Sequence, residues 1–166
     1  MLSNFGNFFI TTSVIITITI IYFSYVNLKS TIQIVPEKIY KLSLYQTTFS
    51  ILTFFILVAG FIVSDFSLIT VFQNSNTLKP FFYKITGTWG NHEGSLLLWI
   101  NVMVIFSYLF LIYNKKAEKN FRLFTLITHN ILILGFLLFL FFNSNPFSLV
   151  FPTPREGLGL NPILQD

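Results

Sequence analysis

The sequence predicts an all-α, polytopic membrane protein with four transmembrane helices and structured loops on the far side of the membrane. Composition is the first reason: 54% of the 166 residues are hydrophobic, only 10% are charged, and the mean hydropathy is +0.73. A soluble domain carries about 25% charged residues. The second reason is four apolar stretches long enough to span a bilayer, and the third is that lysine and arginine concentrate in alternate connections.

The four predicted spans are about 20 residues each, the length that crosses a hydrocarbon core as a helix. The β-branched run TTSVIITITII at 11–21 favours a strand by propensity. It is continuous rather than alternating and long enough to span, so a helix is predicted. No basic segment and no small-residue cleavage site accompany the first span, so we do not expect a removed signal peptide. The spans run from Phe5 to Tyr25, Leu42 to Val63, Ser95 to Tyr113 and Phe121 to Phe142.

Basic residues predict the orientation of the spans. Seven of the ten lie in two connections, between spans one and two and between spans three and four. The positive-inside rule places these connections in the cytoplasm or matrix, and therefore both termini on the far, periplasmic or intermembrane-space, side. The segment NKKAEKN at 114–120 is interpreted as an orientation signal and a snorkelling collar. The seven residues are Lys29, Lys38, Lys41, Lys115, Lys116, Lys119 and Arg122.

The far side collects the polar, weakly basic sequence. Its Asn, Gly, Ser and Pro residues are typical of turns with a defined backbone. Asp65 is expected to mark the end of span two, and three prolines, at 152, 154 and 162, predict extended structure along the membrane. The polar stretches are QNSNT at 73–77, TGTWGNHEGS at 86–95, NSNPF at 143–147 and the tail from Pro152.

The stretch TWGNHEGSLLLW at 88–99 holds the one adjacent His–Glu pair of the chain. A zinc-protease motif fails because Leu96 stands where the second histidine is required, and no GxSxG motif occurs. Gly94 and Ser95 are expected to cap the third span, with Glu93 near the positive helix end. Trp89 and Trp99 sit at depths suited to interfacial packing.

Two interpretations of this stretch stay open. One is a capped helix start with an aromatic anchor; the other is recognition of an anionic group or flat macrocycle, with His92 as a donor or transient iron ligand. His129, inside span four, is interpreted as a neutral imidazole bonded to a neighbouring helix, helped by Thr128 and Asn130.

Several function classes are excluded by composition and motif. Without cysteine, the chain has no disulfide, thiolate metal site or cysteine nucleophile. The net charge of +4 forms no basic stripe outside two short connections, so no nucleic-acid partner is expected. The tail EGLGLNPILQD is not GxGxxG and follows no predicted strand, which excludes a dinucleotide site. Abundant Phe, Ile, Asn and Tyr are typical of an A/T-rich, organellar genome.

The ordered set of far-side motifs resembles the cytochrome c maturation protein F (CcmF) family, the large membrane subunit of the System I haem lyase. The family is similar in its four-span start and in six stretches from about residue 60 onward. Its homologue for nitrite-reductase haem attachment shares this pattern. The stretches are SDF (64–66), NSNT (74–77), YK (83–84), TWGNHEGSLLLW (88–99), NPF (145–147) and EGLGLNPILQD (156–166).

The resemblance implies a role in the covalent attachment of haem to the CxxCH thiols of apocytochrome c. It implies haem b in the complete assembly, not ligated by this chain alone, because the family's ligating histidines lie further along. Residues 1–166 are then a single N-terminal transmembrane portion, from a split gene, a truncation or partial coverage. Expected partners are the C-terminal portion on another polypeptide, a CcmE-like haem carrier, a CcmH-like protein, apocytochrome c and membrane lipid.

No catalytic residue and no metal ligand is assigned to this chain, and whether it acts as an enzyme by itself stays open. The expected location is the mitochondrial inner membrane, with the bacterial inner membrane as the alternative. The competing function is a non-catalytic membrane scaffold or assembly subunit of a respiratory complex. The candidates for a loop that handles haem or apocytochrome are Trp89, Gly90, His92, Glu93, Gly94, Ser95, Asn161, Pro162 and Gln165.

Overall fold

A computed structural model describes residues 1–31 and 34–159 and confirms the all-α fold class. Within these ranges the only β pairing is one isolated antiparallel bridge between Leu68 and Leu149. Four helices are long and apolar enough to cross a membrane, and the chain is a membrane protein. The six helices are α1 (Leu2–Leu28), α2 (Glu37–Ile62), α3 (Ile69–Asn74), α4 (Phe81–Gly87), α5 (His92–Tyr113) and α6 (Lys119–Phe142).

The spanning helices α1, α2, α5 and α6 cover the four predicted spans, except that α2 ends at Ile62, one residue short of Val63. All four begin before the predicted spans. Helix α2 begins five residues early, at Glu37, where the Glu37 carboxylate accepts an ion-pair hydrogen bond from Lys41 Nζ at 2.8 Å. This pair is at i,i+4 spacing and supports a helical turn outside the apolar stretch. Apolarity locates the part of a helix inside lipid, whereas polar contacts decide where the helix begins.

Small residues line the interface between α1 and α2. The buried positions on each helix alternate in steps of three and four residues, which is the heptad spacing of left-handed helix pairs. Small side chains at such positions let membrane helices approach closely. Gly6 of α1 also lies against the Phe147 ring of the segment after α6, where a Cβ would clash with that ring. The repeating positions are Ser3, Gly6, Ile10, Ser13, Thr17, Ile20 and Ser24 on α1, and Ile39, Ser43, Gln46, Ser50, Thr53, Leu57 and Gly60 on α2.

A buried polar layer separates two apolar clusters and joins all four spanning helices. Gln46 Nε2 donates to Thr17 Oγ1 at 2.7 Å and to Asn130 Oδ1 at 2.9 Å. Asn130 Nδ2 in turn donates to Ser107 Oγ at 3.4 Å. Each of these four side chains is buried. One apolar cluster, around Phe61 and Phe147, lies on the side of α3 and α4, and the other lies on the opposite side.

The connections from α1 to α2 and from α5 to α6 lie together at one end of the bundle, the basic end. Lys119 is buried there and donates from Nζ to the carbonyl oxygens of Asn27 (2.9 Å) and Ser30 (2.7 Å). Arg122 is also buried and donates to Leu111 O at 2.8 Å. The predicted snorkelling is therefore wrong for Lys119, the one of these two residues within 114–120, because it binds carbonyls at the end of α1. Arg122 binds a carbonyl near the end of α5 in the same way.

The opposite end, the α3–α4 end, brings the chain start, the α2–α5 connection and the segment after α6 together. Ser3 Oγ donates to Phe147 O at 2.7 Å, and Asn145 Nδ2 donates to Asn7 Oδ1 at 2.7 Å. Asp65 lies three residues beyond α2, as expected, and accepts a hydrogen bond from Ser67 Oγ. The polar segments predicted to share one side of the membrane thus share one end of the bundle.

Candidate functional site

The corner, residues 88–95, joins the end of α4 to the start of α5 and is held by one side chain. Asn91 Nδ2 donates to Gly87 O at 2.9 Å and to Thr88 O at 3.0 Å. Asn91 Oδ1 accepts the backbone N–H of Gly94 at 2.7 Å. A single buried amide therefore satisfies the last carbonyls of one helix and a first-turn N–H of the next.

The expected cap at Gly94 and Ser95 is wrong, since Asn91 is the N-cap of α5 and the helix starts at His92. Ser95 Oγ instead donates to His92 O at 3.0 Å, inside the first turn. Gly94 has a different purpose: a Cβ there would lie 1.6 Å from Thr88 O. Only glycine allows the α4 end to approach α5 this closely. Glu93 does lie in the first turn, where a carboxylate is favourable.

His92 connects the corner to the segment that follows α6. Its Nδ1 lies 3.3 Å from Ser144 Oγ, and its ring meets the Phe139 ring edge-on with centroids 6.4 Å apart. The imidazole is otherwise exposed, and within the described residues no hydrogen bond involves its Nε2. A hydrogen bond at one ring nitrogen orients a histidine and leaves the other nitrogen for a ligand.

An open apolar groove of about 480 Å³ lies beside His92, between α5 and α6. Its lining residues are His92, Leu96, Gly135, Phe136 and Phe139. A Cβ on Gly135 would meet no atom within 4 Å, so the groove is open at this glycine. We call it the His92 groove. One imidazole among aromatic walls suits a flat, apolar ligand with a metal or polar atom at one point.

The corner is also attached to α2 by an aromatic stack. Trp89 stacks on Phe54 with ring centroids 6.4 Å apart and an interplanar angle of 22°. Trp89 remains 40% exposed, so part of its ring is accessible beside the stack on Phe54. Trp99 lies within α5 and is 65% exposed on the outside of that helix. The exposure of both rings is compatible with the predicted interfacial packing, which stays a prediction.

The tail binds the α2–α5 connection next to the corner. The Glu156 carboxylate accepts hydrogen bonds from Thr77 Oγ1 at 2.6 Å and Thr77 N at 2.8 Å, and these bonds lower the pKa of Glu156. Backbone bonds from Leu158 N to Phe72 O and from Gly159 N to Ser75 O continue the contact. The candidate residues Asn161, Pro162 and Gln165 lie outside the described residues.

Two lysines of the α2–α5 connection donate hydrogen bonds to other residues of the chain. Lys79 is buried, donates from Nζ to Asn74 O at 3.0 Å, and has its pKa lowered by that burial. Lys84 Nζ donates to Ser64 Oγ at 2.7 Å. Ser64 has a positive φ of 55°, so its side chain is fixed at a turn directly after α2. These internal roles explain why so few basic residues at this end face outward.

His129 is not part of the corner. It is half-buried on the outer side of α6, and within the described residues it forms no hydrogen bond. The expected bond to a neighbouring helix is made by the adjacent Asn130 instead. No group of three or more His, Asp or Glu residues that could hold a metal occurs in the described parts of the chain.

Sequence reasoning missed Gln46, which the structure places at the centre of the polar layer. The signal that could have found it is its position: a glutamine in the buried three-and-four repeat of a membrane helix needs a partner on another helix. It also missed Asn91 as the organiser of the corner. An Asn directly before a helix start is among the preferred N-cap residues, because its side chain accepts a first-turn N–H.

Several curated proteins are similar to this chain over most of its length. CycK of Rhizobium meliloti is 41% identical over 119 residues, which is 72% of this chain and 17% of CycK. CcmF of Escherichia coli K12 is 43% identical over 114 residues, 68% of this chain and 18% of CcmF. NrfE of Haemophilus influenzae is 39% identical over 125 residues, 75% of this chain and 20% of NrfE. All three are named cytochrome c-type biogenesis proteins.

By sequence, this chain belongs with the CcmF, CycK and NrfE cytochrome c-type biogenesis proteins. It spans about a fifth or less of the length of the relatives it matches. No family model and no solved structure matches it. The resemblance of the far-side motifs to the CcmF family is thus confirmed.

Proposed function

We propose that this CcmF-type chain is the N-terminal portion of a System I cytochrome c haem lyase and supports covalent attachment of haem to apocytochrome c. The observation that carries the proposal is an identity of 37–43% to proteins named for cytochrome c biogenesis, over 64–79% of the chain. The attachment takes place at the α3–α4 end, which faces the periplasm or the intermembrane space. The positive-inside rule supports this side, because the two connections richest in lysine lie at the other end.

The corner and the His92 groove are the part of this chain that handles haem or apocytochrome. The groove fits the edge of a haem macrocycle, since it offers apolar aromatic walls and one imidazole whose Nδ1 is already bonded to Ser144. His92 is the one histidine that lines this groove. In this proposal it would position the macrocycle, while the histidines that ligate haem lie in another part of the assembly. Asn91 and Gly94 hold His92 at the groove, and Trp89 fixes the corner against α2.

Haem, when bound, supplies the vinyl carbons that accept the cysteine thiols of apocytochrome c. The residues of this chain orient the macrocycle and keep one edge away from water, because Leu96, Phe136 and Phe139 present no polar atom to it. The tail is bound through Glu156 to Thr77 at this end of the bundle. Asn161, Pro162 and Gln165 stay part of this proposal as candidates for handling haem or apocytochrome.

The proposed assembly contains the C-terminal portion of the family on another polypeptide, with haem b bound there. A CcmE-like carrier delivers the haem, and a CcmH-like protein presents the apocytochrome. The Phe-, Ile- and Asn-rich composition supports a mitochondrial inner-membrane location. Lipid surrounds the exposed aromatic residues of the spanning helices.

Gentle-detergent purification of the chain from its own membrane tests the assembly. We expect a polypeptide with the family's remaining helices to co-purify, together with the reduced-minus-oxidised spectrum of b-type haem. Recovery with respiratory-complex subunits, and without such a polypeptide or haem, would support the scaffold function instead.

A variant of His92 tests the groove. His92→Ala is expected to lower the haem attached covalently to cytochrome c, and free imidazole is expected to restore it, because imidazole replaces the missing ring. Tyr113→Leu, at the exposed basic end, is the control and should leave attachment unchanged. Full attachment with His92→Ala, or a loss that imidazole does not restore, would remove His92 from haem handling.

A further inference from the structure

A second groove lies on the outer face of the bundle, deep in the membrane, and contains His129. It has a volume of about 550 Å³ and is separate from the His92 groove. His129 is ten residues from the start of α6 and thirteen from its end, near the middle of the span. Phe106 and Phe110 of α5 line it from one side, and Phe124, Thr128 and Leu132 of α6 line it with His129.

His129 is the one polar group in this groove that lacks an internal partner. Thr125 Oγ1 donates to Phe121 O at 2.9 Å, and Thr128 Oγ1 donates to Phe124 O at 3.1 Å, so both hydroxyls are satisfied within α6. His129 forms no hydrogen bond with the described residues. The rest of the lining is aromatic or aliphatic.

An ionisable side chain at this depth is costly against lipid, and in membrane proteins it almost always faces a protein interior or a water-filled cavity. The interior of this bundle is not available to His129. Asn130, the next residue, occupies the interior and bonds to Gln46 and Ser107 in the polar layer. Since no described residue bonds to His129, a partner from outside the four-helix bundle is expected.

The relatives indicate what lies outside. They are about five times as long as the part that this chain matches, so most of each relative is additional chain. A groove between two antiparallel helices, with aromatic ridges and one polar point, fits the side chains of another helix. Lipid tails would fill the apolar part but leave the imidazole unbonded.

We propose that the His129 groove docks a further transmembrane helix from the family's remaining portion. That helix is apolar and carries one hydrogen-bonding side chain, such as Ser, Thr, Asn, Gln, Asp or Glu, at the depth of His129. The docking rests on the family membership and on the groove, not on haem attachment at the corner.

Photo-crosslinking in the native membrane tests the occupant. p-Benzoylphenylalanine at Phe124, which lines the groove and is 66% exposed, is expected to form an adduct with a peptide from an apolar helix of the family's remaining portion. The same probe at Phe55, on α2 and 62% exposed, gives the background of adducts with lipid. Adducts at Phe124 with lipid alone, with haem, or with a second copy of this chain would overturn the proposal.

Variants of His129 test the polar contact. His129→Leu should lower the amount of the remaining portion that co-purifies by about three- to tenfold, the effect of one interhelical hydrogen bond in a membrane. His129→Asn should restore it, because an amide also donates and accepts. Equal co-purification of wild type and His129→Leu would overturn the contact.

The two proposals fail separately. If His92→Ala leaves haem attachment intact while Phe124 still forms its adduct, only the function of the corner is lost. If attachment depends on His92 but Phe124 meets lipid alone, only the docking is lost. Unfolding of each variant chain in detergent, compared with wild type, shows that the four-helix bundle itself is unchanged.

Discussion

Gln46 of α2 donates a hydrogen bond to Asn130 of α6 across 2.9 Å, and neither side chain is accessible to lipid. Through Thr17 and Ser107 the same pair reaches α1 and α5. Helices in a membrane gain little from burying apolar surface against one another, because lipid is equally apolar. A polar layer that involves all four helices therefore determines which faces meet and at what register.

We expect Asn130→Leu to lower the free energy of unfolding by about 1 to 2 kcal/mol, because it leaves the Gln46 amide with one partner fewer in a dry interior. Unfolding in mixed detergent micelles measures this. The double variant with Gln46→Leu should lose less stability than the sum of the losses of the two single variants. The reason is that the hydrogen bond between the two side chains can be removed only once. Ile131→Leu, exposed on the same helix, is the control. Strict additivity would contradict a shared network.

The two glycines near the His92 groove should respond in opposite directions to alanine. Gly94→Ala places a Cβ 1.6 Å from Thr88 O and should destabilise the chain by about 2 kcal/mol or more, since a backbone carbonyl has to move. Gly135→Ala meets nothing within 4 Å and should stabilise α6 by up to about 1 kcal/mol. The same detergent unfolding compares them, and equal effects would show that the corner is not tightly packed.

Asn91 should show a graded response. Asn91→Ala removes the cap on Gly94 N and both bonds to the α4 carbonyls, with an expected loss of about 1 to 2 kcal/mol. Asn91→Ser keeps a cap acceptor but neither amide donor, so its loss should be intermediate. If serine is as good as asparagine, Asn91 acts only as a helix cap and does not connect α4 to α5.

The contact between Glu156 and Thr77 should depend on pH. Hydrogen bonds from Thr77 lower the pKa of Glu156, so the carboxylate is favoured in the folded chain and its contribution is present above the ordinary glutamate pKa. This contribution to stability is lost as the pH falls through the lowered pKa, in a window that begins at about pH 4 and extends to lower pH.

Thermal unfolding of wild type and Glu156→Gln measures this difference. Wild type should be the more stable at pH 7, and the two should converge as pH falls through that window. A difference that persists to the lowest pH would show that the tail is held by its backbone bonds, such as Leu158 N to Phe72 O, without a charge contribution.

The four spans and their order follow from the sequence, because a run of about 20 apolar residues has few alternatives to a membrane helix. Helix ends are less determined. Apolarity predicts the third span from Ser95, yet α5 begins at His92, because the carbonyls of Gly87 and Thr88 lie within reach of Asn91. That contact joins residues only three and four positions apart, but they are polar or small, so a search for apolar stretches does not detect it.

The family, too, was apparent from the sequence, because the stretch at 88–99 and the tail motif are long and specific. The roles of neighbouring polar residues were not. His129 and Asn130 are adjacent in sequence, and a helix turns by about 100° per residue. One therefore enters the polar layer while the other faces an outer groove, and only the packing of α6 against three other helices decides which is which.

The sequence by itself determined the membrane location, the four spans, the grouping of polar segments at one end and the relationship to cytochrome c biogenesis proteins. These depend on composition and local pattern, which every segment carries within itself. The tertiary structure alone decided that Gln46 and Asn130 hold the bundle together and that Lys119 caps the end of α1. The physical reason is that a hydrogen bond needs two partners within about 3 Å, and these partners come from distant parts of the chain.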